Sequence, residues 1–423
     1  MTRVSLAVVA AGASVLLLGT GLTAEQWPQF RGPGGQGEAI AAALPLEWSE
    51  TSNVAWKVPV PGLGWSSPVV ADGRVWLTTA IEDDSRKGDV SLRLLGYDES
   101  SGRELVNVAV FTVHSANEIN PKNSWASPTP IVEGERVFVH FGAEGTAALG
   151  TSGQLIWKSR FPYQSQHGGG GSPVLHGGLL IFNADGSDNA AVIALDAATG
   201  KVKWRRDRRV PFDQAYSTPL VIRVGEREQI VSVGAFRAAA YEPATGREIW
   251  RVSYGDGFSN VPRPVFTNGL VLIATGFQQP SLLAVRPDGT GDVTKTHVAW
   301  QLSRGAPLTP SPIAVGAEIY FVSDGGIASC VDAATGATLW QQRLGGTYSA
   351  SPVLAAGYLF FPSEQGVTTV IQPGREYRRV ARNTLDGSLL ASMAVADDAI
   401  IMRSDSSLYR LRQSRNDPWR DQP

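Results

Sequence analysis

The sequence predicts an all-β protein, an eight-bladed β-propeller of four-stranded antiparallel blades that is closed by an N-terminal strand. Three observations lead to this prediction. A Ser-Pro pair or a close variant recurs with a period of about 45 residues, which is the length of a propeller blade. A turn of the type Asp-Ala-Ala-Thr-Gly, followed by a tryptophan, ends several of these units. The last unit lacks its final strand, and a strand that belongs to no complete unit precedes the first.

Each repeat begins at the Ser-Pro pair and continues through short apolar strands that are separated by glycine turns. The 46 glycines and 26 prolines among 423 residues agree with many turns between short strands. Eight starts are found, so the sequence predicts eight blades. The starts are Ser67-Pro68, Ser127-Pro128, Ser172-Pro173, Thr218-Pro219, Arg263-Pro264, Ser311-Pro312, Ser351-Pro352 and the degenerate Ser392-Met393.

The turn before the outer strand of a blade has a recurring sequence. Residues Asp196 to Gly200 precede Trp204, and residues Asp332 to Gly336 precede Trp340 at the same spacing. The acidic side chain can accept hydrogen bonds from amides in the turn, and the glycine tolerates a positive φ. We expect each tryptophan to fill the wedge between neighbouring blades, as core packing and not as a ligand contact.

The eighth unit ends at residues 408–412 with its third strand. We expect the missing outer strand to come from residues 54–58, because a strand added from the other chain end covers an edge that would otherwise be exposed. The sequence therefore predicts one propeller domain at 54–412, an N-terminal arm at 25–53 and a C-terminal tail at 413–423.

Residues 1–24 have the layout of a secretory signal peptide, since Arg3 is followed by an uncharged and largely apolar stretch that ends at Ala24. The stretch is also long enough to remain as a membrane anchor, which is the alternative to cleavage. The single cysteine, Cys330, excludes an intramolecular disulfide, a haem-attachment CxxCH motif and a lipid anchor near the N-terminus. We expect a periplasmic or secreted monomer with no membrane span after signal cleavage.

The charges and motifs exclude several classes of function. The chain has 37 Lys and Arg against 39 Asp and Glu, a formal charge of −2, and no basic stripe along the sequence. Nucleic acid is therefore not an expected partner. No Walker loop, GxSxG, HExxH or EF-hand motif is present.

The unit from Ser172 to Trp204, which ends in Leu-Asp-Ala-Ala-Thr-Gly-Lys-Val-Lys-Trp, resembles the pyrroloquinoline-quinone-like (PQQ-like, quinoprotein-type) propeller repeat. The resemblance covers residues 54 to 412. It implies a fold that is shared by quinoprotein dehydrogenases and by the propeller subunit of the bacterial outer-membrane assembly machinery. The arm from Trp27 to Gly32 resembles the start of exported members of this superfamily. The alcohol dehydrogenases of this kind carry a vicinal Cys-Cys ring, which one cysteine cannot form.

The order of strands in a blade places the segments that enter the innermost strands at the same end as the turns between second and third strands. Loops on a rigid scaffold carry binding residues, so we expect a ligand or partner surface at this end. The binding candidates are Trp65, Lys122, Trp125, His167, Tyr216, Asn260, Arg263 and Tyr348. The candidate metal ligands, which can also be ordinary turn residues, are Asp185, Asp324 and Glu364. No catalytic residue is assigned.

Two functions stay open from the sequence. The first is a noncatalytic binding or scaffold protein that holds an envelope or extracellular protein, peptide or glycan on the central-channel face. The alternative is a PQQ- and Ca-dependent quinoprotein dehydrogenase acting on alcohols or sugars. In that case Trp65 or Trp125 would stack on the quinone, and Arg263 or Lys122 would pair with its carboxylates. The missing cysteine pair favours the first function, in which no cofactor is required.

Overall fold

The computed structural model describes residues 26–41, 43–83, 85–114, 116, 119–208, 214–277 and 280–414. These residues form eight sheets, each built on four antiparallel strands, and the innermost strands of neighbouring sheets lie side by side around a central axis. The all-β, eight-bladed propeller predicted from the repeat is therefore confirmed. The predicted signal peptide at 1–24 and most of the predicted tail at 413–423 lie outside the described residues.

Blades 1 to 7 each take four strands that follow one another in the chain. From the innermost strand outward, the strands of blades 1 to 4 are Val69–Ala71, Arg74–Glu82, Val90–Asp98 and Glu104–Val113; Ile131–Glu133, Arg136–His140, Thr146–Gly150 and Leu155–Ser159; Val174–His176, Leu179–Asp185, Ala190–Asp196 and Val202–Asp207; and Leu220–Val224, Arg227–Val233, Arg237–Tyr241 and Glu248–Ser253. A short 3-10 helix, Gly142–Glu144, lies in a turn of blade 2.

The remaining blades repeat this order, and two short strands add to sheets from outside. The strands of blades 5 to 8 are Val265–Thr267, Leu270–Thr275, Ser281–Val285 and Val298–Leu302; Ile313–Val315, Glu318–Val322, Ile327–Asp332 and Thr338–Arg343; Val353–Ala355, Tyr358–Pro362, Val367–Gln372 and Arg378–Thr384; and Ala394–Ala396, Ala399–Arg403, Ser407–Arg412 and Val54–Pro59. The short strands are Glu38–Ala39, parallel to the innermost strand of blade 7, and Gly291–Asp292, parallel to the outer strand of blade 4.

The outer-strand tryptophans of blades 2, 3, 5, 6 and 8 each join their blade to the next one. The indole N–H of Trp204 in blade 3 donates to the carbonyl of Pro243 in blade 4 at 2.8 Å. The Trp204 ring covers Gly246, where a Cβ atom would lie only 2.5 Å from the ring. The glycine of the turn is thus required both for its φ of 67° and for the space that the indole occupies. The same contact recurs for Trp56, Trp157 and Trp300, which donate to Glu99, Ala197 and Ala333.

The ring is closed by a strand from the N-terminal part of the chain. Val54–Pro59 pairs antiparallel with Ser407–Arg412 and becomes the outer strand of blade 8. Its tryptophan, Trp56, then docks on blade 1 as the other outer-strand tryptophans dock on their neighbours. This pairing confirms the predicted closure and leaves the third strand of blade 8 without an open edge.

The residues that begin the blades form a ring of hydrogen bonds around the axis, which we call the hydroxyl ring. At six of the eight positions, the backbone N–H of a ring residue donates to the side-chain hydroxyl of the next one. The bonds, at 2.9 to 3.0 Å, are Ser67 to Thr129, Thr129 to Ser172, Ser172 to Thr218, Arg263 to Ser311, Ser311 to Ser351 and Ser351 to Ser392. Arg263 is the one member of this series without a hydroxyl.

The hydroxyl ring corrects the start of blade 2. We placed it at Ser127-Pro128, but the innermost strand begins at Ile131, and Thr129 takes the ring position that serine has in blade 1. Two X-Pro pairs follow one another here, and the repeat alone does not distinguish them. Ser127 instead holds the preceding loop through a 2.9 Å hydrogen bond to Ser124.

The N-terminal arm fills the axis beyond the hydroxyl ring. Trp27 exchanges backbone hydrogen bonds of 2.8 and 3.0 Å with Val70, in the innermost strand of blade 1. The Gln36 amide holds both backbone groups of Phe266 in blade 5, at 2.7 and 3.0 Å. Because these partners lie deeper along the innermost strands than the ring residues, the arm supports the hydroxyl ring from below. In the described part of the chain, no helix has the length and apolar character needed to span a bilayer.

Candidate binding site at the channel mouth

A pocket of about 640 Å³ opens at the end of the propeller where we expected a binding surface. This volume is within the range of small-molecule sites and also accommodates a few side chains of a peptide. Its lining comes from segments that enter the innermost strands, and from turns between second and third strands. The arm contributes Phe30 to the same pocket. We call this space the mouth pocket.

The floor of the mouth pocket is polar. Seven residues of the hydroxyl ring line it: Ser67, Thr129, Ser172, Thr218, Ser311, Ser351 and Ser392. All of them are at most 5% exposed, because the Ser-Pro starts of the blades converge on the axis. Phe30 lies among them, since the arm passes directly below the ring.

The wall of the mouth pocket is largely aromatic and apolar. Phe258 and Phe277 pack with ring centroids 6.0 Å apart, and the side chain of Phe277 is 62% exposed. On another side, the rings of His167 and Tyr216 also lie 6.0 Å apart. Together with the other apolar residues of the wall, Phe277 forms a contiguous apolar surface, which is the kind of surface that binding partners cover. The wall also includes Trp65, Leu308 and Leu390.

Five of the residues singled out from the sequence line the mouth pocket: Trp65, Lys122, His167, Tyr216 and Asp324. The ammonium of Lys122 also forms an ion pair of 3.1 Å with Glu364, in the turn between the second and third strands of blade 7. The structure thus brings six of the eleven candidates to one end of the molecule. Their role in binding stays a prediction.

Four candidates lie behind the pocket surface. Tyr348 is 1% exposed and packs in the core between blades 6 and 7, where burial raises its pKa to about 12. Asn260 is 1% exposed and donates to the Gly234 carbonyl at 2.7 Å. Trp125 packs against the core between blades 1 and 2. Arg263 lies below the floor, where its guanidinium donates to the Phe30 carbonyl at 2.8 Å.

The three candidate metal ligands do not come together. Asp185 forms a fully buried ion pair of 2.7 Å with Arg208, and burial is the main cause that raises its pKa. Asp324 accepts two backbone N–H groups at 3.0 Å and the Thr309 hydroxyl at 2.6 Å. Burial opposes the ionisation of Glu364, but hydrogen bonds from Ser349, Thr347 and Lys122 together lower its pKa. Among the described residues, no three His, Cys, Asp or Glu side chains cluster as metal ligands would.

Two buried arginines near the hydroxyl ring were missed by the sequence analysis. Arg31 of the arm is 1% exposed and donates to the carbonyls of Gln36 and Pro312 at 2.6 and 2.8 Å. Arg403 of blade 8 is equally buried and donates to Thr78 and Ser66 in blade 1, at 2.8 Å each. Burial lowers the pKa of Arg31 to about 9 and that of Arg403 to about 10. Neither position is part of the repeat pattern. In the sequence, only the arm motif around Phe30 and Arg31 could have pointed to Arg31, and nothing pointed to Arg403.

Comparison with solved structures gives the same fold. BamB from Moraxella catarrhalis superposes with a TM-score of 0.60 at 13% identity, over 86% of this chain and 98% of that one. A europium-containing methanol dehydrogenase gives a TM-score of 0.65 at 9% identity, over 90% of each chain. The quinohemoprotein alcohol dehydrogenase from Comamonas testosteroni gives 0.64 at 10% identity, over 93% of this chain and 82% of that one.

Sequence comparison identifies the family. No curated protein sequence matches the chain significantly. The family described as "Outer membrane protein assembly factor BamB" matches residues 46–169, 97–342 and 221–417, which together span nearly all of the propeller. The chain therefore belongs to this family of PQQ-like β-propellers.

Proposed function

We propose that the protein is an exported, noncatalytic binding protein that takes a peptide segment of an envelope or extracellular protein into the mouth pocket. The observation that carries this proposal is the pocket itself, which combines an exposed aromatic rim at Phe277 with a deep polar floor of hydroxyl groups. An extended peptide has the same combination, since apolar side chains alternate with backbone hydrogen-bonding groups.

The family comparison supports a protein partner and an envelope location. The matching family is described as an outer-membrane-protein assembly factor, and one structural neighbour is a BamB protein. A protein with such a role works on other polypeptides outside the cytoplasm. The leader-like residues 1–24 agree with export to the periplasm or beyond.

The quinoprotein dehydrogenase is the second candidate, because two structural neighbours are dehydrogenases of this kind. The residues present do not fit its Ca²⁺ site. Ca²⁺ takes six to eight oxygen ligands, whereas Asp185, Asp324 and Glu364 lie at separate places and each binds another partner: Arg208, Thr309 and Ser349. Purified protein can be tested with added PQQ and Ca²⁺. A rise in the melting temperature with dye reduction by alcohols or sugars would revive this candidate, and neither is expected.

Peptide binding is tested by selecting from a displayed random-peptide library on immobilised protein. The matched variants are Phe277→Ser in the rim and Val202→Ser on the outer strand of blade 3, whose side chains are 62% and 51% exposed. We expect the selected peptides to bind the Phe277 variant about tenfold more weakly, because a central aromatic contact is lost, and to bind the Val202 variant normally. Equal binding to both variants, or selection of no peptide while a glycan binds the pocket, would contradict the proposal.

A further inference from the structure

We propose that the floor of the mouth pocket is a carboxylate-binding subsite, which receives an acidic side chain or the C-terminal carboxylate of the bound peptide. The inference deepens the proposed function and rests on the same pocket. Its basis is the juxtaposition of a ring of hydroxyl donors with three buried guanidinium groups that form no ion pair with a carboxylate of the described residues.

The hydroxyl ring presents donors to the pocket. Six of its hydroxyl oxygens already accept a backbone N–H from the preceding ring residue, so a lone pair of each is used. Among the described residues, no acceptor receives the hydroxyl hydrogen of any of the seven. Ser67 and Thr129, for example, take part only through their backbone N–H or as acceptors. A hydroxyl has one hydrogen to donate, and here these hydrogens are available at the axis.

Three buried arginines supply an uncompensated positive charge. Arg31, Arg263 and Arg403 are each at most 2% exposed, and none takes part in the ion pairs found in the described part of the chain. Each donates to backbone carbonyls, and the Nε atom of each lacks a partner. Glu38 is exposed at the surface and forms no ion pair with Arg31 among the described residues; it acts on the pKa of Arg31 only as a nearby charge. Burial of charge without a counter-ion is costly, which favours the entry of an anion.

The arginines lie next to the hydroxyl ring. Arg263 occupies the ring position of blade 5, and its backbone N–H donates to the Ser311 hydroxyl at 3.0 Å. Arg31 donates to the carbonyl of Pro312, the residue after Ser311. Arg403 donates to Ser66, the residue before Ser67. The positive charges therefore lie on two sides of the ring, just behind the donors that face the pocket, and water-poor surroundings strengthen their field at the floor.

A single negative charge with planar oxygens fits this floor best. A carboxylate accepts several hydrogen bonds at its two oxygens, as the converging hydroxyls require. The acidic side chains of Asp324 and Glu364 at the same end oppose a second negative charge, which disfavours a phosphate dianion. The aromatic wall above the floor suits the apolar remainder of a peptide residue.

The test uses matched small probes on the full folded protein. We expect calorimetric titration to show binding of N-acetyl-phenylalanine, and binding at least about tenfold weaker for N-acetyl-phenylalaninamide, which lacks the charge. Phenyl phosphate should bind more weakly than the carboxylate. Equal affinity for acid and amide, tighter binding of phenyl phosphate, or no binding of the acid would each overturn the carboxylate subsite.

Variants locate the subsite without disturbing the fold. Ser67→Ala removes a pocket-facing donor that accepts no ring hydrogen bond, and Arg263→Ser introduces the residue type found elsewhere in the ring. Both should weaken binding of the acid while leaving the amide unchanged, and Arg227→Ser, exposed at the opposite end, should alter neither. Unchanged acid binding in both variants contradicts the inference. If library peptides still depend on Phe277 in that case, the proposed peptide-binding function stands and only the carboxylate subsite fails.

Discussion

The ammonium of Lys122 lies 3.1 Å from a carboxylate oxygen of Glu364, which joins the loop before blade 2 to a turn of blade 7. Blades 1 and 8 lie between these two elements in the ring. The ion pair therefore links loops of two non-neighbouring blades beside the mouth pocket, which Lys122 lines; Lys122 is 54% exposed and Glu364 is 16% exposed.

Because Lys122 is largely exposed, we expect the ion pair to contribute little to stability. Lys122→Gln should lower the free energy of unfolding by less than about 1 kcal/mol, and added salt should shrink the difference. Urea unfolding at low and high salt measures both effects. A larger loss that does not depend on salt would show that Lys122 acts through packing.

The contact of Trp204 with Gly246 predicts a strong effect of a single methyl group. Gly246→Ala should destabilise the protein by about 1 to 3 kcal/mol more than Gly225→Ala, because the added carbon overlaps the indole. Gly225 has a similar positive φ, 59° against 67°, but no atom lies near its Cβ position, so it controls for backbone strain. The measurement is urea unfolding of both variants, and equal losses would refute the docking role of the turn.

We expect the protein to lose stability in acid because His140 is buried in its neutral form. His140 is fully buried in blade 2 beside Phe182, and burial lowers its pKa to about 3 from an ordinary value near 6.5. Between these values the unfolded chain binds a proton that the folded chain does not, so stability falls as the pH falls below about 6.5, by up to about 1.4 kcal/mol per pH unit.

The variant His140→Leu isolates this contribution. Its unfolding free energy should depend less steeply on pH between neutral pH and about pH 4, since the group that takes up the proton on unfolding is gone. Unfolding curves at several pH values give the slope for both proteins. Identical slopes would mean that His140 is accessible to protons in the folded state.

Arg263→Ser should raise the stability of the protein while it weakens binding of the carboxylate probe. The substitution removes a buried charge that has no carboxylate partner among residues 26–414 as described, and it offers a hydroxyl to the backbone N–H of Thr218, the preceding ring residue. We expect a gain of about 1 kcal/mol or more in the free energy of unfolding. The exposed control Arg227→Ser should stay within about 0.5 kcal/mol of the parent. A marked loss in thermal or urea unfolding would show that the bond to Phe30 outweighs the burial cost.

The burial of Trp27 indicates that the arm is part of the folded core. Trp27 is 0% exposed, and its ring covers Gly32, so Trp27→Ala should cost about 3 to 5 kcal/mol through the cavity it leaves. Leu155→Ala, at a side chain that is 50% exposed, serves as the control and should have little effect. Similar small losses for both in urea unfolding would mean that the arm is dispensable.

The repeat made the fold predictable from sequence. Each Ser-Pro start and each Asp-to-Gly turn marks a place where the backbone needs a particular conformation. Because the pattern recurs eight times, a degenerate copy such as Ser392-Met393 does not obscure it. Trp204 and Trp56 docked as expected because the same turn is present in the blade that follows each of them. The start of blade 2 was wrong by two residues because only a contact from the neighbouring blade, Ser67 to Thr129, distinguishes the two candidates.

The site was less predictable because it depends on segments outside the repeat. The arm has no period, and nothing in its sequence says that it enters the axis below Phe30 and meets Arg263. Asp185 could not be assigned a partner, since Arg208 lies in a blade-connecting segment of irregular sequence. Strand order correctly indicated which end carries Trp65, His167 and Asp324, but it says nothing about how deeply a side chain is buried.

The position of the arm bears on how any guest of the mouth pocket comes and goes. Trp27, Phe30 and Gln36 are seated among the innermost strands, so the arm occupies the axis below the floor of the mouth pocket. We therefore expect a bound peptide to enter and leave through one opening, the mouth that Lys122 and Phe277 line. A propeller with such an arm would exchange its ligand at one face of the ring and would not pass it along the channel to the other.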